Sequence, residues 1–129
     1  MGLHVFQCFG IVMFCFCLTT SLILLYAKGE VYFVGDDSYG WDEFFDFNDW
    51  SYEKEFHAGD ILVFKYESSL HNVLQVNSTA YENCIKNSYT HRFTSGNDSV
   101  ILEEGRAWFI CGVGDHCENG QKLHILVTP

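Results

Sequence analysis

Trp108-Phe-Ile-Cys111-Gly-Val-Gly-Asp-His116-Cys117-Glu-Asn-Gly-Gln121-Lys-Leu-His-Ile-Leu-Val127 is the stretch around which the rest of the chain is organised. The apolar run Trp108 to Ile110 delivers Cys111, a Gly-rich loop carries His116 and Cys117, and Gln121 opens an alternating segment of strand character that ends at Val127. Two strands thus hold a loop that presents soft and borderline donors at close spacing. A thiolate, an imidazole and a weak carbonyl donor five residues further on suit a transition metal, provided that glycines such as Gly112, Gly114 and Gly120 let the backbone fold tightly. A fourth ligand must come from elsewhere, and His71 in Leu70-His71-Asn72-Val73 is the best candidate.

Outward from this loop, turn signals recur between short apolar runs. Glu30 to Val34 alternates as a strand and stops at Gly35-Asp36-Asp37-Ser38. Gly59-Asp60 precedes Ile61 to Tyr66, and His71 to Val76 forms the next strand with His71 at its start. Thr79 to Lys86 suits a short helical turn bearing Cys84, while Val100 to Leu102, Arg106 to Cys111 and Lys122 to Val127 supply further strands. Strands every roughly 8 to 12 residues with few helical periods predict an antiparallel β-sandwich.

Residues 1–27 contain no Lys, Arg, Asp or Glu and are dominated by Phe, Ile, Val, Leu and Cys, which predicts a secretory signal peptide ending near Ala27. An uncleaved N-terminal anchor is the alternative, because the run is long enough to span a bilayer and its only positive candidate is His4. No second apolar run follows, so no C-terminal lipid-anchor signal is expected. Residues 28–129 then form one small domain that carries the whole net charge of −10, which argues against nucleic acid as a partner and favours cationic ones. Of six cysteines, Cys8, Cys15 and Cys17 lie in the leader, leaving the odd set Cys84, Cys111 and Cys117 in the domain. The sequons at Asn77 and Asn97 fit passage through a secretory compartment and predict glycosylation there. Between Asp36 and Glu55 eight carboxylates face a single Lys54, interleaved with Phe44, Phe45, Phe47, Trp50 and Tyr52. That segment is expected to be a solvated face with its aromatics turned inward, or, more specifically, a docking patch for a cationic partner. His57, His91 and His124 are expected at the surface, and Trp41, Trp50 and Trp108 in packing roles.

The distant His71-Asn72-Val73, the Cys111-x4-His116-Cys117 spacing and Gln121 together resemble the copper-binding pattern of the plant phytocyanins, with Gln at the axial position as in the stellacyanin branch. Gly35-Asp36, Gly40-Trp41, Trp50, Phe56, Gly59-Asp60, Phe64-x-Tyr66, Cys84, Gly96-x-Asp98 and Gly120-Gln121-Lys122-Leu123 extend the likeness over nearly everything after residue 30. The resemblance implies an all-β Greek-key cupredoxin sandwich of about seven to eight strands with one or two short helical turns. It also implies one type 1 copper held by His71, Cys111, His116 and Gln121. With Cys111 as the thiolate ligand, Cys84 and Cys117 are left to pair as a disulfide; a Cys111–Cys117 bridge, or Cys111 as a plain buried thiol, is the alternative. The expected function is one-electron transfer by a secreted, apoplastic, monomeric carrier without enzymatic activity and with a redox partner of cationic character. Two rivals are a structural zinc site made of Cys111, Cys117, His71 and His116, and a cell-surface recognition module on which redox activity is incidental.

Overall fold

The computed structural model describes residues 29–129, so the leader expected at 1–27, with Cys8, Cys15 and Cys17, lies outside the described residues. Eight strands make two sheets: β1 Val31–Phe33, β2 Phe56–His57, β3 Ile61–Lys65, β4 Val73–Val76, β5 His91–Phe93, β6 Asn97–Ile101, β7 Gly105–Ile110 and β8 Lys122–Thr128. One sheet has the order β1-β3-β6 and the other β2-β8-β7-β4-β5. Among the described residues three helices, α1 Asp36–Tyr39, α2 Phe47–Tyr52 and α3 Ser78–Asn83, replace the one or two helical turns anticipated. The pairing is mixed, not purely antiparallel: β1 runs parallel to β3 and β2 parallel to β8, while the remaining ladders are antiparallel.

Alternation explains how the strands bury their faces. In β8, Leu123, Ile125 and Val127 point into the main core and the residues between them face outward, as a period of two requires. Each such side chain, taken from water, contributes about 2 to 3 kcal/mol before entropy is counted. Trp41, Phe47, Phe64, Phe109, Leu62 and Leu123 close the space between the sheets. Strand β4 departs from alternation because both of its faces are covered. Val73 faces the main core, while Leu74 and Val76 join Ala80, Tyr81, Ile110 and Cys117 in a second cluster beneath α3.

Two helix boundaries follow from caps. Asp46 accepts from the Asp49 amide at 2.9 Å and opens α2, and Asn77 accepts from the Ala80 amide at 2.9 Å and opens α3. The left-handed Cys84, at φ 50°, ends α3, so the helix is shorter than the Thr79 to Lys86 expected. In α2 the i,i+3 pair Phe47 and Trp50 turns inward, but Tyr52 falls off that face and is 86% exposed. Phe44, before the helix at φ 68°, is 79% exposed, so the aromatics of the acidic segment are only partly internal. His57 and His91 are exposed as expected. His124 is half-buried instead, stacked on Trp108 at 5.4 Å with Tyr81 edge-on at 5.8 Å, because its strand face is covered near α3. Trp41 and Trp50 are buried and Trp108 packs on the second cluster, in keeping with packing roles. Among the described residues no helix is long and apolar enough to cross a membrane.

Candidate metal centre

Two segments meet at one end of the five-stranded sheet, the entry to β4 and the loop from β7 to β8. His71 lies just before β4, not within it, and Cys111 follows β7 directly. The segment from Gly112 to Gly120 returns the chain to β8 through a series of tight turns, with His116 N donating to Val113 O, Asn119 N to Asp115 O and Gly120 N to Cys117 O. The loop is clasped at its neck: Cys111 N donates to Gln121 O at 3.0 Å and Gln121 N to His116 O at 2.9 Å. Gly120, at φ 104°, supplies the left-handed turn that starts β8.

Asn72 ties the His71 loop to the Cys111 loop. Its Oδ1 accepts from Gly112 N at 2.6 Å, and its backbone carbonyl accepts from Trp41 Nε1 at 2.9 Å. A side chain at position 112 would place Cβ 2.6 Å from Leu74 Cδ1 and 3.1 Å from that Asn72 oxygen, so anything larger than glycine forces the buried Leu74 and the Asn72 side chain to shift. The bridge Cys84–Cys117 pins the loop to the end of α3, and Cys111 is the free cysteine among the described residues. This disposes of a Cys111–Cys117 bridge. It also removes Cys117 from the donors that a Cys2His2 zinc site needs.

His71, Cys111 and His116 come together with their ligand atoms all within 4.8 Å of one another. His71 Nδ1 lies 3.2 Å from His116 Nδ1, and Cys111 Sγ lies 3.6 Å from His116 Nδ1. Two imidazole nitrogens about 2.0 Å and a thiolate about 2.3 Å from a shared ion would be separated by about 3 to 4 Å, which is the spacing of these atoms. Burial pushes the Cys111 thiol above its ordinary range, opposed by the backbone amides of Asn72 and Val113. A coordinated ion would reverse that preference by deprotonating the sulfur. Gln121 is fully buried, and neither its Oε1 nor its Nε2 has a hydrogen-bond partner. A buried amide left unpaired costs about 1 to 3 kcal/mol, so this orphan beside the clasp fits a metal-facing donor better than a packing residue. Two imidazoles and one thiolate are the strong donors of a blue-copper site.

Sequence reasoning missed the outer ring nitrogens' surroundings. His71 Nε2 is 3.2 Å from Asp42 Oδ1, and His116 Nε2 is 3.8 Å from Glu43 Oε1. His116 is consequently less open than a Gly-rich loop suggests, with 19% of its side chain exposed. A second grouping, Glu43 with Asp115 and His116, shares this rim.

Comparison with known proteins agrees with the geometry. The plastocyanin-like domain model matches residues 41–121. The chain is 38% identical over 115 residues to blue copper protein 1b of Medicago truncatula, covering 86% of this chain and 70% of that protein. It is 41% identical over 103 residues to stellacyanin of Toxicodendron vernicifluum, covering 79% of this chain and 90% of that protein. The solved structure of Cu2+ cucumber stellacyanin superposes with a TM-score of 0.70 at 32% identity, over 79% of this chain and 97% of that one. With fold, donor cluster and relatives in agreement, the chain belongs to the plastocyanin-like domain family, among the phytocyanins.

Proposed function

We propose that this protein is a one-electron carrier that binds a single type 1 copper through His71, Cys111, His116 and Gln121. The observation that carries the reading is the convergence of the three donors within 4.8 Å, joined by a buried, unpartnered Gln121 whose backbone bonds both Cys111 and His116. Copper held there supplies the Cu(I)/Cu(II) couple. The chain's contribution is to hold two rings, a sulfur and an amide on loops clasped to each other and bridged to α3, so that little has to move when charge changes. These four residues would fill the coordination of a bound copper from the protein, leaving none of the open position that a catalytic metal site keeps, so the activity is transfer and not catalysis. A complete donor set leaves the recognition-module alternative without support from the site. Titration with Cu(II) tests the reading: an intense visible thiolate-to-copper band with one equivalent bound is the expected result, and a colourless complex refutes it.

Gln121 would tune the potential of a copper held here. An amide oxygen is harder than a thioether and favours Cu(II), so the native protein has a lower reduction potential than its Gln121→Met variant. Spectroelectrochemistry of the two copper-loaded proteins checks the order, and an equal or higher native value contradicts the assignment of Gln121.

The carrier works outside the cell. The domain holds a disulfide, and both sequon asparagines, Asn77 and Asn97, are exposed for glycosylation. Removal of residues 1–27 releases it to the apoplast; retention of that segment as an anchor is the alternative. Its redox partner is cationic. Seven of the eight carboxylates between Asp36 and Glu55 are exposed, and Glu43 touches the His116 ring. Reduction by a cationic reagent therefore slows about tenfold or more as salt rises from 0.01 M to 1 M, over which the screening length falls from about 30 Å to 3 Å. A rate indifferent to salt removes the docking patch.

A further inference from the structure

The segment Trp41-Asp42-Glu43 leaves the core and passes over the outer edge of both histidines. Trp41 is buried and doubly fixed, its backbone amide donating to Lys65 O at 2.8 Å and its indole to the carbonyl of Asn72, the residue after His71. From that anchor Asp42 Oδ1 reaches His71 Nε2 at 3.2 Å, while the same oxygen accepts the Glu43 amide at 2.7 Å. Glu43 Oε1 lies 3.8 Å from His116 Nε2, and its other oxygen accepts from Asn119 Nδ2 at 2.7 Å. Each carboxylate is thus held by a second contact of its own. The two rings turn their Nδ1 atoms toward each other, that of His116 also toward Cys111 Sγ, and each turns Nε2 toward an acid.

Resting on the ligand assignment above, we propose that Asp42 and Glu43 are positioning residues that fix the tautomer of both imidazole ligands and lower the reduction potential. A negative charge beside Nε2 attracts the N–H dipole there, which favours the tautomer with Nδ1 as the lone-pair nitrogen and makes the imidazole a better donor, most strongly for His71, whose carboxylate is the nearer. Two negative charges next to the rings favour the more positive metal ion, Cu(II), over Cu(I). The acidic segment therefore acts on the copper itself as well as on any partner. Its first two members after Trp41 tune the site, and the remainder face solvent.

The experiment compares copper-loaded protein with Asp42→Asn, Glu43→Gln and the double variant, measuring reduction potential together with the visible and electron-spin spectra. Glu104→Gln, which removes one charge at the start of β7, at the far end of that strand from Cys111, is the control. Each single variant keeps the blue band and moves to higher potential. The double variant shifts the Cu(II)-to-Cu(I) preference about tenfold, or 59 mV for one electron. Glu104→Gln stays at the native value. Unchanged potentials in the Asp42 and Glu43 variants, or an equal shift in Glu104→Gln, overturn the proposal while the native blue band leaves the ligand assignment standing. A native protein without that band defeats the ligand assignment first.

Discussion

Replacing Cys111 by Ser abolishes the intense visible band of the copper-loaded protein and with it rapid electron exchange. The band arises from sulfur-to-copper charge transfer, and Cys111 is the free sulfur among the described residues, 3.6 Å from His116 Nδ1 and fully buried. A serine oxygen fits the same space but neither gives up its proton as readily nor shares charge with copper as a thiolate does. Residual metal binding through His71 and His116 is expected to be weak and colourless to pale. The control is thermal unfolding of the metal-free variant: its midpoint stays near that of the metal-free native protein, because the backbone amides of Asn72 and Val113 that face the sulfur can donate to the hydroxyl. A variant that keeps the native band removes Cys111 from the site.

Breaking the Cys84–Cys117 bridge has the largest effect on stability. The bridge closes 33 residues of sequence, and on the chain-entropy model its loss from the unfolded ensemble costs about 4 kcal/mol at 25 °C. A domain of about 100 residues has a total stability of about 5 to 15 kcal/mol, so Cys84→Ser with Cys117→Ser leaves a marginal fold. Denaturant unfolding of the metal-free double variant shows the loss directly. Because Cys117 follows His116 and packs against Leu74, Ile110 and Tyr81, the same change also loosens the metal loop and weakens copper affinity. A loss below about 1 kcal/mol means that the second core cluster, not the covalent link, holds the loop to α3.

How much of this was legible beforehand depends on whether the signal is local. The strands β3, β4, β7 and β8 announce themselves through apolar alternation or an apolar run, and the loop donors Cys111, His116 and Gln121 through their spacing within a Gly-rich turn. Strand β2, with two residues, and β5, the polar His91–Phe93, carry no such pattern; they are strands because β8 and β4 offer free edges to pair with. The parallel ladders are likewise a property of the partners' placement. Helix α2 had a local signal, Asp46 as a cap ahead of the Phe47 and Trp50 pair, hidden in a run whose acidity drew attention to its surface. The contacts of Asp42 and Glu43 with the histidine rings had none. They follow from Trp41 meeting Asn72 across 31 positions, a distance that no motif records.

The order of the two sheets carries one more consequence. Their outer strands are β1 and β6 in one sheet and β2 and β5 in the other, and three of these four are only two or three residues long. An additional chain extending a sheet by backbone hydrogen bonding finds little template at β1, β2 or β5, and a copy of this chain brings the same negative charge. Extension of the sheets by a second chain is thereby discouraged at three of the four edges, which leaves the five-residue β6 as the edge with a usable template.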